Sequence, residues 1–309
     1  MAKRSRKDSK GGIVKRYKVV KSTLDPNTSG IYITCSRNKE KAAASEILSI
    51  FEEKVEEYYS DELNAMNSTS PDGSGSTEIE SKEPVTTELK KEISIEEELQ
   101  QELEGLKNHK TTIVDTKKNK PILEQIDLQT ECLVFVKTRK PIVPEKFVHR
   151  IIRDLADPHD LRKRTRFVQK LTPITDSCHA SMEELAKLCE RVLPQHFHKE
   201  EMVPVKFAVE INKRNFSTMD KMEMIKYIAG FVGKQGSLEH KVDLKNYDKL
   251  VLLQCFKNNI GMCVVDKDYR TDYKKYNVQE LFEMKHKNKE TTLATAESAP
   301  ASTQSNTSK

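Results

Sequence analysis

The residues whose types and spacing suit a reaction or a ligand in this chain are mostly cations. Arg162, Lys163, Arg164 and Arg166 crowd the strand-like run RKRTRFVQKLTPI. Residues two apart on a strand share a face, so Arg164 and Arg166 are expected side by side, with Lys170 four positions on at the same parity. Two guanidinium forks on one face match phosphate, because each can donate two hydrogen bonds to its oxygens. Lys213, Arg214 and Asn215 end the next strand-like run, PVKFAVEINKRN, and Lys234, Lys241 and Lys245 flank the one after it. If these ends converge, they line a groove that follows a polyanion backbone. A single lysine in such a position more often solvates a strand end, but the Arg164, Arg166, Lys170 set is uniform in sign and reads as a binding set. His240 suits an RNA contact and a packed, hydrogen-bonded role equally. Phe216 and Tyr247 are candidates for stacking on bases, with a core role the better reading for Phe216.

Other chemistry finds less support. Cys178 and His179 are neighbours on a strand and point to opposite faces, so they cannot share a proton. His196 and His198, with Cys189 nearby, lack the second cysteine pair of a structural zinc site and a carboxylate to activate water. The glycines Gly230, Gly233 and Gly236 imitate a phosphate loop, but that motif needs glycine where Ile228 stands and serine or threonine after Lys234. A KH-type loop would be followed by a helix, whereas EHKVDL reads as a strand. The expectation is no catalytic residue, no metal and no cofactor. Cys35, Cys132, Cys178, Cys189, Cys255 and Cys263 form no C-x-x-C pair and sit mostly in apolar patterns, so they read as free thiols in a reducing compartment.

These residues have to be held by an α+β scaffold. The chain has 309 residues, 36% hydrophobic and 33% charged, with a net charge of +5. That charge is uneven: residues 61–104 hold thirteen acidic residues against three lysines, a net of −10, which leaves +15 on the rest. The basic arm over residues 1–28 is expected to be disordered, and its start MAKRSRKDSK reads equally as a nuclear-entry patch, an RNA-contacting arm or a solvated tail; the expected location is the nucleus and nucleolus, with the cytoplasm as a second compartment. No apolar run approaches the length of a membrane span.

A ferredoxin-like domain is expected over 29–141. It starts with the strand GIYITC and a helix from Asn38 to Tyr59, on which Ile47, Phe51, Val55 and Tyr58 recur at helical spacing. A disordered acidic insertion over about 60–92 interrupts it, then a helix from Ile93 to Lys107 and strands at Ile122–Leu128 and Cys132–Val136 complete it. Pro141 and Pro144 mark a boundary. The second domain, 145–283, opens on the apolar face Phe147, Val148, Ile151, Ile152, Leu155 and contains helices Ser181–Leu193, with a capping box at Ser181 and Glu184, and Met219–Val232, with Met222, Ile225, Ile228 and Val232 inward. Residues 284–309 read as a disordered tail.

The runs RTRFVQKLTPITDSCHA, FAVEINKRN and HKVDLKNYDKLVLLQCFKNNIGMCVV, in that order, resemble a THUMP domain, the α/β RNA-binding fold of tRNA-modifying enzymes. GIYITC and CLVFVKTR resemble the ferredoxin-like domain that accompanies it. More closely, the chain resembles the eukaryotic THUMP domain-containing adaptors of tRNA cytidine acetylation. The resemblance implies binding of serine and leucine tRNAs and presentation of a D-arm cytidine to a separate RNA cytidine acetyltransferase, which forms N4-acetylcytidine. THUMP enzymes carry a catalytic domain after THUMP, and fewer than fifty residues follow Val265 here; the resemblance therefore implies a partner without its own chemistry. The alternatives are a general RNA-binding scaffold in RNA processing and a stand-alone RNA-modifying enzyme.

Overall fold

The computed structural model describes residues 20–21, 24–68, 114–115, 120–199, 203–234 and 238–297. The helix expected at Ile93–Lys107 lies outside them, as do residues 1–19 and the end of the tail.

A first sheet has the strand order β1 (Val20–Lys21), β5 (Leu123–Asp127), β6 (Leu133–Thr138), β2 (Gly30–Cys35) and β7 (Val168–Ile174). A separate ribbon pairs β3 (Val114–Asp115) with β4 (Lys120–Pro121). The near-continuous apolar runs GIYITC and LVFVKT make the inner strands of the first sheet, as expected for strands covered on both faces. Helices α1 (Glu40–Ser68) and α2 (Pro144–Ala156) cover one face through Ile47, Phe51, Val55, Phe147, Val148, Ile151 and Ile152. Read as β2-α1-β5-β6-α2-β7, this is a ferredoxin-like unit.

Its limits differ from those expected. Helix α2 and strand β7, assigned from sequence to the second domain, complete the first sheet, where Leu171 pairs with Ile33 of β2. Pro141 and Pro144 mark a turn and a helix start, and the apolar stripe behind them turns back onto the same core as Phe51. Residues 60–68, expected in the insertion, continue α1, and Leu63 is buried.

The second sheet has the order β10 (Lys241–Val242), β9 (Lys206–Arg214), β11 (Lys249–Phe256), β12 (Asn259–Asp266) and β8 (Asp176–His179). β9 and β11 are parallel, joined through α5 (Lys221–Lys234), and β11 and β12 form a hairpin with Phe256 opposite Asn259. On one face, α3 (Met182–Val192) and α5 pack Leu185, Leu188, Met224 and Ile228 against Val251 and Leu253. The other face, with Leu250, Leu252, Cys263 and Val265, shares the core of the first unit. Ser181 caps α3 as expected, its hydroxyl accepting from the Glu184 N–H at 3.2 Å. Met222 was expected inward but is exposed. The buried stripe of α5 runs Met224, Ile228, Phe231, and Met222 stands two residues, about 200°, off it.

After the short helices α4 (Pro194–Phe197) and α6 (Asp268–Thr271), α7 (Val278–Glu297) returns to the first unit and packs on α2 and β7. The tail expected to be disordered from residue 284 is therefore helical to Glu297. Lys285 is buried there, donating to the carbonyls of Asp157 at 3.2 Å and Asp160 at 2.5 Å, and its apolar stem explains how a basic sequence can pack.

Candidate nucleic-acid interface

The positive residues collect where the two units meet, beside the start of α1. The turn Ser36–Lys39 enters the helix there, the segment Thr165–Phe167 runs into β7, and the loop Asp127–Cys132 joins β5 to β6. From the second unit come the ends of β9 and β11. Arg37 Nε lies 3.2 Å from Glu131 Oε2, and Arg214 Nη2 donates to the Glu131 carbonyl at 2.6 Å. Lys257, in the β11–β12 turn, donates to the Leu128 carbonyl at 3.1 Å. Lys39 Nζ and Arg166 Cζ lie 5.7 and 5.3 Å from the centre of the Phe167 ring. Lys213 donates to the Met219 carbonyl at 2.8 Å at the same end of β9, and Asn215, with φ of 51°, turns the chain beyond it. The result is a belt of cations across the junction, at the carboxyl ends of two parallel strands, a common site for ligands in α/β sheets.

Sequence reasoning found Arg166, Lys213, Arg214 and Asn215 of this belt and missed Arg37, Lys39 and Lys257. Those three sit in turns, where strand parity gives no signal. The positive φ at Asn38 and Lys257, in SRNKE and FKNN, is the mark that could have placed both turns.

The other expected residues separate. Arg164 and Arg166 precede β7 instead of lying in it. Their backbone is diverted toward α1, because Glu46 accepts from the N–H groups of Arg166 and Phe167. Arg164 Nη2 lies 2.9 Å from Glu53 on the same helix. Lys170 belongs to the opposite face of the sheet: it pairs with Thr34, beside Leu171 in the helix-covered core, and its Nζ lies 5.6 Å from the Tyr269 ring centre. Burial holds the Lys170 ammonium below its usual range, against the pull of Glu210. The Arg164, Arg166, Lys170 cradle does not form. Arg162 is bound in two places by Asp160, both at 2.9 Å, and Lys163 stands 5.4 Å over the Phe282 ring. A cavity of about 220 Å³ beside them, lined by Lys54, Asp154, Arg162 and Arg164, holds cations already matched by carboxylates.

Lys241 and Lys245 are exposed at the far end of the second sheet, and Lys241 is in register with Lys206. Arg214 lies eight residues further along β9, roughly 26 Å away at about 3.3 Å per residue. The convergence of strand ends into one groove is thus overturned. The side chain of Lys234 lies outside the described residues. Phe216 and Tyr247 are buried in the core, which removes them as stacking platforms.

His240 is also a packing residue. Its Nδ1 accepts from the Val205 N–H at 3.1 Å and its Nε2–H donates to the Phe197 carbonyl at 2.8 Å, inside the wall of the second unit. His240→Ala is expected to cost about 1–3 kcal/mol of stability, from two orphaned backbone groups, with no loss of RNA affinity in the folded fraction; thermal melts and binding curves on one preparation check this. His196 and His198 diverge, His196 toward Glu145 at 3.5 Å and His198 toward the Val232 carbonyl at 3.3 Å. Burial, then the charge of Lys249, pushes the His196 imidazole down to about 4. Burial pushes the thiols of Cys178, Cys189 and Cys255 up to about 12.

Residues 179–265 match the THUMP domain family model. The chain is 50% identical over 294 residues to the tRNA acetyltransferase TAN1 of Saccharomyces cerevisiae, across 93% of this chain and 96% of that one. It is 30% identical over 282 residues to THUMP domain-containing protein 1 of Mus musculus, across 91% of this chain and 69% of that one.

Proposed function

The chain belongs to the THUMP domain-containing family that includes yeast TAN1, and from that premise we propose that it is a tRNA-binding adaptor for tRNA acetylation. It holds tRNA, the serine and leucine tRNAs in the first place, and presents a D-arm cytidine to a separate RNA cytidine acetyltransferase that makes N4-acetylcytidine. The observation that carries this reading is the belt of Arg37, Lys39, Arg166, Arg214 and Lys257, contributed by both units at one junction. A structured RNA backbone is the ligand such a belt suits, since it carries closely spaced phosphates and is held by point contacts without base edges.

The word acetyltransferase in the relative's name raises the question of which chain does the chemistry. The thiols at Cys178, Cys189 and Cys255 are buried and held protonated far above neutral pH, which argues against a covalent acetyl-cysteine at those three positions. Nuclear and nucleolar residence is part of the same proposal, and imaging of the tagged full chain tests it.

The purified chain is expected to bind tRNA with an affinity that falls steeply between 50 and 200 mM salt. Incubated with tRNA and acetyl-coenzyme A it yields no N4-acetylcytidine by nucleoside mass spectrometry, and adding the acetyltransferase yields it. Product from the chain alone would make it the enzyme. An acetyltransferase complex that survives nuclease, from a chain with no tRNA affinity, would make it a scaffold.

A further inference from the structure

The belt contains one aromatic ring that the fold takes care to hold at the surface. Phe167 is half-buried and packed against the core, with Lys39 Nζ and Arg166 Cζ over its ring at 5.7 and 5.3 Å from the centre. Glu46 of α1 uses both carboxylate oxygens on this segment: one accepts from the Arg166 N–H and the other from the Phe167 N–H at 3.0 Å. On the other side of the segment, the Ser36 N–H donates to the Phe167 carbonyl at 3.0 Å. The backbone that carries the ring and the guanidinium is therefore held from both sides. Among the described residues neither Lys39 nor Arg166 forms an ion pair, whereas Arg37, Arg162 and Arg164 all do.

Resting on the tRNA-binding reading, we propose that Phe167 is a stacking platform for one unpaired nucleobase of the bound RNA, with Lys39 and Arg166 on the phosphates that flank it. The chemistry sets the ligand. A bare phosphate has no use for the ring, and an apolar peptide would leave two unmatched cations in contact with it. A planar π-system that carries its own anion satisfies both. The base is unpaired because one inside a duplex has both faces already stacked, and sequence-tolerant proteins hold single-stranded bases on aromatic faces in this way. The sequence hides the residue: in TRFVQK it stands next to Val168 and reads as the start of a buried strand.

Phe167→Leu keeps an aliphatic contact with the core and removes the π face. Full-length chain is titrated with tRNA and with a short unstructured oligoribonucleotide containing 2-aminopurine. The expected result is a loss of roughly 5- to 150-fold in affinity for both. The dependence of log K on log salt stays unchanged, because no charge is removed. Stacking quenches 2-aminopurine on the wild-type chain and on Phe167→Trp, but not on Phe167→Leu. The proposal is overturned if Phe167→Leu binds and quenches like wild type, if its salt slope falls with its affinity so that only displaced cations are at fault, or if a blunt duplex competes as well as the oligonucleotide. Displacement by AMP at equal strength would assign the platform to free nucleotides instead of RNA. A wild-type chain that binds neither RNA defeats the underlying tRNA reading itself.

Discussion

Replacing Arg37, Lys39 and Arg166 together by alanine weakens tRNA binding by roughly 3–4 kcal/mol, on the order of several hundredfold, and lowers the salt slope by about 2. All three side chains are exposed, Arg37 and Lys39 in the turn before α1 and Arg166 just before β7, so their removal takes little from the fold: the Arg37–Glu131 pair is a surface contact, worth at most about 1 kcal/mol. Lys241→Ala with Lys245→Ala is the matched control, two cations of the same exposure at the other end of the second sheet. That pair is expected to change affinity less than about threefold, the effect of a general loss of positive charge on long-range attraction. Filter binding at several salt concentrations, on chains with matching thermal melts, measures both. Equal losses from the two sets would mean that net charge alone, and not the junction, holds the RNA.

The sequence could not have given that contrast, for a reason that lies in the fold. Near-continuous apolar runs are enough to find the inner strands GIYITC and LVFVKT, which are covered on both faces, whereas parity is needed to say which cations share a face. It failed for Arg164, Arg166 and Lys170 because the strand begins only at Val168. The N–H groups that would have continued the ladder are taken by Glu46, more than a hundred residues earlier in the chain. A carboxylate that competes with a β-partner leaves no local trace. The unit limits were missed for a related reason: Phe147 to Ile152 announces a helix with a buried stripe, but not which sheet that stripe covers. Which strand ends converge is likewise a property of topology. Lys241 and Arg214 look equivalent as cations at strand ends, yet β10 runs parallel to β9 and so places them at opposite ends of the sheet.

Ending the chain after Asn277 lowers the melting temperature by at least about 10 °C, or abolishes cooperative melting, although the sequence beyond residue 283 reads as a solvated tail. Val278 and Leu281 are buried against the first unit, and uncovering them and their neighbours costs about 1.5–3 kcal/mol each. Lys285 adds a charged donor to two carbonyls of the loop that carries Arg162, worth about 1.5–3 kcal/mol. Together these contributions approach the roughly 5–15 kcal/mol that hold a whole domain. The single change Lys285→Met, which keeps most of the apolar stem, isolates the last term and is expected to lower the melt by about 3–12 °C at about 2–4 °C per kcal/mol. Circular dichroism melts of the three chains decide the matter. If the shortened chain melts within about 2 °C of the full one, α7 contributes nothing to the first unit, and the loop from Asp157 to Arg166 is held by α1 alone.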